Sequence, residues 1–410
     1  VIPEFAVVVP TIGRKSVHRL LAELDGSSGP RPSQLILVDD RPEAGPSLDV
    51  TTTLPVTVLR SGGRGPAAAR NVGWRAVRAP WICFLDDDVV PHANWFSALA
   101  HDLAAGEASG AAGSQAVIEV PRVAGRRATD DERRTQRLAD AKWITADMAY
   151  RRSVLVSVGG FDERFPRAYR EDSDLALRIT LSGNEIVQGT RRCSHPVAPA
   201  TLLSSVKAQV GNRDNALMRR KYGRGWRAAI GEGRGRMPAH SLTTAAAITA
   251  VLSMLASRWR VARASSALWA ALTVEFAARR FWTGPHNVME AAKMAVTSVL
   301  IPPAAVWHRL CGQWAFRNAR RDPPLAVLLD RDDTIIEDGP YLNDPQGVRP
   351  VPGALDALGR LRDRGLLLAV VTNQSGVAKG LISPDELAAV NAKVDAVLGP
   401  FDSWQVCVHD

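Results

Sequence analysis

Short apolar runs that stop at polar clusters recur through the first two hundred residues. Phe5-Ala6-Val7-Val8-Val9 ends at Pro10-Thr11, and Leu35-Ile36-Leu37-Val38 delivers Asp39 and Asp40. Trp81-Ile82-Cys83-Phe84-Leu85, entered after Pro80, runs into Asp86-Asp87-Asp88. Apolar runs of this length, without polar alternation, predict buried strands. Between them, Ser16 to Leu24 has helical spacing, and Pro66, favourable at a first helical position, opens a helix behind Gly62-Gly63-Arg64-Gly65. Strands alternating with helices predict an α/β fold with a parallel sheet and a ligand beyond the strand ends, the edge shared by Asp39 and the three later acids.

Beyond residue 200 the pattern changes. Leu242 to Leu255 is apolar but studded with Thr, Ala and Ser, while Val261 to Phe281 and Val288 to Trp307 mix apolar faces with Arg. Trp226, Trp259, Trp269, Trp282, Trp307 and Trp314 punctuate the whole. No uninterrupted apolar run reaches about 20 residues, so a bilayer-crossing helix is not expected. Pro323-Pro324 closes this stretch, and Leu325 to Leu329 predicts a strand running into Asp330-Arg331-Asp332-Asp333. Leu366 to Val371 predicts another, ahead of Thr372-Asn373-Gln374. The chain thus divides into residues 1–203, 204–322 and 323–410.

Composition sharpens the middle part. Across 410 residues the chain is 46% hydrophobic and 23% charged, ordinary for a globular protein with two or three domains. The net charge is +9, but Ser204 to Arg321 holds 19 Lys and Arg against 4 Asp and Glu, leaving the rest of the chain acidic. Aromatic and basic residues on amphipathic helices suit an anionic membrane surface; a helical domain packed on its neighbour with Trp in its core is the other reading. No recognised nucleic-acid motif accompanies the charge, so nucleic acid is not an expected partner. Cys83, Cys193, Cys311 and Cys407 lie far apart, which fits a reducing compartment. Val1-Ile2-Pro3-Glu4 has no basic region ahead of its apolar run, so no secretory signal is expected there.

The candidate chemistry lies at the polar ends of the strands. Asp86, Asp87 and Asp88 repel one another unless a cation sits among them, and hard oxygen ligands suit Mg²⁺ or Mn²⁺. An acidic turn ahead of a helix over His92–Leu103 is the alternative. The glycine-rich turn into a helix beside Arg64 and Arg70 would attract phosphate, or is a structural turn.

The order VVVPT, VDD, GGRGPAAARNVG and FLDDDV resembles the nucleotide-sugar-binding half of a family 2 glycosyltransferase with the GT-A fold. Residues 144–152 and Gly159-Gly160-Phe161-Asp162-Glu163 resemble that family's acceptor side, and Arg170-Glu171-Asp172-Ser173-Asp174 its "ED" motif. His195 lies 23 residues beyond Asp172, where many members place a late metal-binding histidine. The resemblance covers residues 5 to 200 and implies an inverting, Mn²⁺- or Mg²⁺-dependent enzyme. Asp86, Asp88 and His195 would hold the metal, and Asp172, beside Glu171, would be the base. Pro10, Thr11, Asp39, Asp40, Arg64, Arg70, Asn71, Asp86 and Asp87 would form the donor side. The implied partners are a nucleotide-diphosphate sugar and a glycan or lipid-linked acceptor; with the basic segment and the reducing compartment, the expected location is cytoplasmic, peripheral at the inner face of the cell membrane. By residue type alone, Glu171, Asp172 and Asp174 are equally acids favouring a helix dipole, and His195 a loop histidine.

Asp330-Arg331-Asp332-Asp333 and Thr372-Asn373-Gln374-Ser375-Gly376 resemble the first two motifs of haloacid-dehalogenase-type phosphatases, nearest the heptose-bisphosphate and histidinol-phosphate members. The resemblance implies Asp330 as nucleophile, Asp332 as acid/base, and Thr372 and Asn373 on the phosphate. Asp333 stands where that family usually has Gly, and its lysine and late acidic motifs would fall after Asp410. Cys407 and His409 resemble the first half of a zinc site, which two ligands do not complete. The expectation is therefore a glycosyltransferase followed by a basic helical segment and an incomplete phosphatase-like module. The alternatives are a sugar-phosphate phosphatase as the main activity, or a non-enzymatic scaffold that binds sugar nucleotides.

Overall fold

The structure is a computed structural model that describes residues 2–43, 46–48, 50–319, 326–337, 339, 341–363 and 366–409. The transferase-like part is built in chain order from β1 (Phe5–Thr11), α1 (Ser16–Gly26), β2 (Gln34–Asp39), β3 (Val56–Arg60), α2 (Pro66–Arg75), β4 (Trp81–Leu85), β5 (Val90–Pro91), α3 (Trp95–Ser109), β6 (Gly113–Glu119), α4 (Asp130–Gln136), β7 (Asp147–Arg151), α5 (Arg152–Val158), α6 (Glu171–Leu181) and β8 (Ile186–Ser194). The eight strands form one sheet in the order β3-β2-β1-β4-β7-β6-β8-β5.

β1 to β4 run parallel, as expected, with Thr11 opposite Asp39 and Phe5 opposite Trp81. β7 corrects the all-parallel expectation: it enters antiparallel between β4 and β6, placing Asp147 opposite Leu85, and β5 is antiparallel to β8. The unbroken apolar runs are explained by cover on both faces. Phe5, Val7 and Val9 join one core with α1 and α3, while Ala6 and Val8 join another with Trp74, Phe84, Tyr150 and Leu175. The helix expected over His92–Leu103 begins at Trp95.

The basic stretch contains α7 (Ser204–Lys207), α8 (Gly211–Tyr222), α9 (Trp226–Ala229), α10 (Met237–Leu255), α11 (Trp259–Trp282) and α12 (Val288–Ala315). α10 and α12 are long and apolar enough to cross a membrane by length and composition, which the interrupted sequence did not suggest. α12 continues through Pro302 and Pro303. Not every basic residue of this stretch is at the surface: Arg280 is buried, bonded to Thr297, Ser298, Ser205 and Asp130. The tryptophans split between the two readings. Trp226 joins a core with Phe165, Leu177, Leu217 and Met218, whereas Trp259, Trp282, Trp307 and Trp314 are exposed.

α8 is tied into the transferase-like part by charge. Lys221 is fully buried with Nζ 2.5 Å from both Asp162 and Asp174, and Arg167 clasps Asp214 with bonds of 2.9 and 2.7 Å. Pro323-Pro324 lies outside the described residues. Beyond it, β9 (Ala326–Leu329), α13 (Ala354–Asp363), β10 (Leu367–Asn373), α14 (Pro384–Leu398) and β11 (Ser403–Cys407) form a module with a parallel three-stranded sheet ordered β11-β10-β9.

Candidate active site

The strand ends of β1 and β4, the N-terminus of α2 and the start of α6 converge on a cavity of about 370 Å³. Pro10, Thr11, Asp40, Arg70, Asp86, Asp87, Asp88, Glu171, Asp172 and His195 all line it, so residues from six separate stretches meet there. Thr11 donates a 2.6 Å hydrogen bond to the buried Asp87 carboxylate. Burial pushes Asp87 up, although the Thr11 bond and Arg14 oppose it.

Arg14, which the sequence motifs did not single out, bridges Asp87 and Asp88 at 3.1 Å each. On the other side of the acidic turn, Arg70 is buried and bonds Asp86 at 2.7 Å and Glu171 at 2.9 Å. This guanidinium therefore links the β4 acids to the α6 acids. Asp172 accepts from its neighbour Ser173, through N at 2.6 Å and Oγ at 3.3 Å. Burial raises Asp172 above the usual carboxylate range, and burial together with the Asp172 charge pushes Glu171 up to about 8.

The start of α6 is strained into place. Arg170, just ahead of it, has a φ of 82°, unfavourable for a side chain larger than glycine. Two bonds to Glu232, at 2.6 and 2.9 Å, and stacking on Tyr169 and Trp226 hold it there. Tyr169 and Arg170 also bond Asn215 on α8, so the helical segment helps set the position of Asp172.

Three expected donor-side residues do not line the cavity. Asp39 is held below the usual carboxylate range by bonds from the Arg41 side chain at 2.8 and 2.7 Å, against the effect of burial. Asn71 is buried behind the wall, where its amide bonds the Phe161 carbonyl and Glu163 and accepts from Phe161 and Trp74. Arg64 bonds Glu163 at 2.9 Å. The α2 N-terminus is already occupied, because Asp40 accepts from Gly65 N at 3.0 Å. Gly65 has a φ of 96°, and a Cβ there would meet the Pro166 carbonyl at 2.4 Å, so the loop fits only as glycine.

His195 Nε2 lies 3.7 Å from Asp88, and its Nδ1 is 3.0 Å from the Pro196 carbonyl. Among the described residues, no three acid, His or Cys groups form a ready-made metal cage. Asp88 and His195 face each other, while Asp86 is turned to Arg70. The hydroxyl of Thr145 lines the cavity wall, buried and without a partner among the described residues. Residues 144–152 supplied the signal for it; nothing in the sequence spacing supplied one for Arg14.

In the C-terminal module, Asp332 is gripped by Arg331 at 2.9 and 3.1 Å and accepts from Gln374 at 2.6 Å and Thr372 at 3.4 Å. Asp330 accepts from Arg331 N at 2.7 Å. Asn373 is exposed and pairs in register with Cys407, whose Sγ lies 3.8 Å from His409 Nδ1.

Comparison with known proteins finds different relatives for the two ends of the chain. Residues 6–164 match the family model Glycosyl transferase family 2, so the N-terminal part is a glycosyltransferase domain of that family. The C-terminal part is similar to D-glycero-beta-D-manno-heptose-1,7-bisphosphate 7-phosphatases. The match is 36% identical over 77 residues to that of Haemophilus influenzae, covering 19% of this chain and 42% of the relative. It is 37% identical over 88 residues to that of Pasteurella multocida, covering 20% and 48%. The chain thus spans less than half the length of these curated relatives. Among solved structures, D,D-heptose 1.7-bisphosphate phosphatase from B. bronchiseptica, complexed with magnesium and phosphate, is 30% identical over 21% of this chain and 50% of its own, with a TM-score of 0.20. S. aureus TarS is 15% identical over 74% of this chain and 55% of its own, with a TM-score of 0.36.

Proposed function

We propose that the glycosyl transferase family 2 domain transfers a sugar from a nucleotide diphosphate to a hydroxyl of a glycan or lipid-linked acceptor, with a divalent cation and with inversion. The observation that carries this is the charge of the cavity wall. Asp40, Asp86, Asp87, Asp88 and Asp172 face it against Arg14 and Arg70, while Glu171, raised to about 8, adds no charge near neutral pH. A diphosphate would add negative charge to a wall already rich in it, so its binding calls for a cation between them. The donor set fits: Asp88 and His195 stand together, Asp86 is adjacent, and carboxylate oxygen is the ligand chemistry of Mn²⁺ and Mg²⁺. A cation held by those three residues would neutralise the departing diphosphate.

Asp172 takes the acceptor proton in this reading. Its raised proton affinity suits a general base, and a base on the acceptor side, opposite the leaving group, gives direct displacement. Arg70 keeps Glu171 and Asp86 in fixed relation, and the Thr145 hydroxyl is available to a bound ligand. The positive charge and exposed tryptophans of the basic segment support a location at the inner face of the cell membrane, beside a lipid-linked acceptor.

The test is a panel of nucleotide sugars with Mn²⁺, scored for donor hydrolysis and binding in the wild type and in Asp88→Ala. One donor should bind in a metal-dependent way that the variant loses. Equal nucleotide affinity with and without Mn²⁺ would refute the reading. A second reading, phosphate-ester chemistry at Asp330, is favoured by the similarity of the C-terminal part. It requires phosphate release from heptose bisphosphate that Asp330→Asn abolishes.

A further inference from the structure

α10 is built inside out for a helix in water. It carries no Asp, Glu, Lys or Arg, yet its buried positions are the small residues Thr243, Ala246, Ala250 and Ser253. Its large residues point the other way: Ile248, Val251, Leu252 and Leu255 are between 55% and 79% exposed. At 100° per residue the two sets lie on opposite sides of the helix. The small side lets α11 and α12 approach closely, and the apolar side has no cover among the described residues. The turn into α11 continues that surface with the exposed Trp259.

Charge identifies the cover. Arg234 precedes α10, and Arg258, Arg260 and Arg263 follow its exposed end, all exposed. Between residues 233 and 289 the single acid is Glu275, already paired with Arg236 and Arg279 at 2.6 Å each. An apolar strip with tryptophan at its tip and unopposed arginines at both ends matches a bilayer surface with anionic headgroups. A second copy of this chain would set like charges against each other across a two-fold contact. A crossing orientation also fits poorly. The 19 residues of α10 are about 28 Å long, but α11, packed along it, would carry Arg260, Arg263, Glu275 and Arg279 into hydrocarbon.

We infer that the outer face of the α10–α11 hairpin is the seat of this protein on an anionic phospholipid bilayer, with Leu255 and Trp259 entering the interface and Arg258, Arg260 and Arg263 meeting the headgroups. This deepens the reading of the chain as a membrane-surface enzyme. It is tested without donor or acceptor, so it stands or falls separately from the transferase chemistry.

The experiment is co-sedimentation of the full chain with vesicles of phosphatidylcholine alone, or of phosphatidylcholine with phosphatidylglycerol, over a range of salt. Binding should favour the anionic vesicles and weaken as salt rises. Arg258→Gln with Arg260→Gln should cost about 30-fold on anionic vesicles, from about 1 kcal/mol per arginine. Leu255→Ser with Trp259→Ser should reduce binding to both vesicle types, and circular dichroism should show unchanged helix content in both double variants. Equal binding to both vesicle types, or none to either, would overturn the inference. So would a dimer in light scattering that the Leu255→Ser, Trp259→Ser variant converts to monomer, since the face would then belong to a second copy.

Discussion

Replacing Lys221 by Met removes a buried charge at the point where α8 meets α6. The ammonium is fully buried and lies 2.5 Å from one oxygen each of Asp162 and Asp174. Arg164 pairs with Asp162 at 2.6 Å, Arg178 with Asp174 at 3.0 Å, and the Tyr222 hydroxyl donates to Asp174 at 2.8 Å. The native cluster thus holds three cations around two carboxylates, and the variant holds two. Breaking a buried ion pair typically costs 3–5 kcal/mol because a carboxylate is left uncompensated. With both arginines still in place the loss should lie at the lower end, about 3 kcal/mol. Urea unfolding of wild type and variant, followed by tryptophan fluorescence, measures it. The double variant Lys221→Met, Asp174→Asn should be less destabilised than the sum of its parts, since one stranded charge is gone. Burial alone would raise Asp162, but Arg164 and Lys221 outweigh it and hold it well below the usual carboxylate range. That stability is present above the ordinary carboxylate range and is lost as pH falls, so the variant should also show a shallower acid limb. A loss below about 1 kcal/mol would show that the arginines alone neutralise the pair, and the reasoning would fail.

The remaining predictions concern the two candidate sites. Asp172→Asn keeps the shape of the side chain but cannot accept a proton, so turnover should fall about 10²-fold or more with donor affinity nearly intact; near-native turnover would place the base elsewhere. Glu171, raised by burial and by Asp172 to about 8, binds its proton more tightly folded than unfolded. Its contribution to stability is therefore present below its ordinary value of 4.5 and is lost as pH rises through about 8. Between about pH 5 and pH 8.5 the metal-free protein should lose stability in urea, and Glu171→Gln should flatten that slope. In the C-terminal module, both Asp332 oxygens are engaged by Arg331 and Gln374, and Asp333 adds charge beside Asp330. This chain should accordingly release little phosphate from heptose bisphosphate, histidinol phosphate or an aryl phosphate; robust turnover abolished by Asp330→Asn would refute that.

What could be read from the sequence followed from local pattern. The runs at Phe5, Leu35 and Trp81 announced strands because strands covered on both faces need no polar alternation. Their acidic ends pointed to the cavity because a parallel sheet gathers its strand ends on one edge. What could not be read depended on partners far away in the chain. Arg14 meets Asp87 and Asp88 across more than seventy residues, and no spacing rule connects them. Asn71 sits in a glycine-rich stretch that suggested phosphate, yet its amide pins the Phe161 loop. β7 enters antiparallel between two strands that the alternation of elements would leave adjacent. The composition of α10 gave a helix, but which side it turns outward was settled by packing against α11 and α12.

The pairs that cross from α8 into the transferase part bear on how such a gene could be divided. Composition changes near residue 203, an obvious place to cut. A fragment ending there would keep Asp162 and Asp174 without Lys221, Arg167 without Asp214, and Arg170 without Asn215 and Glu232. The smallest portable unit therefore runs at least through Glu232. Recombination that exchanges α10 to α12 while keeping the transferase domain should join new sequence after that residue, because α8 travels with the N-terminal half even though its composition belongs to the other.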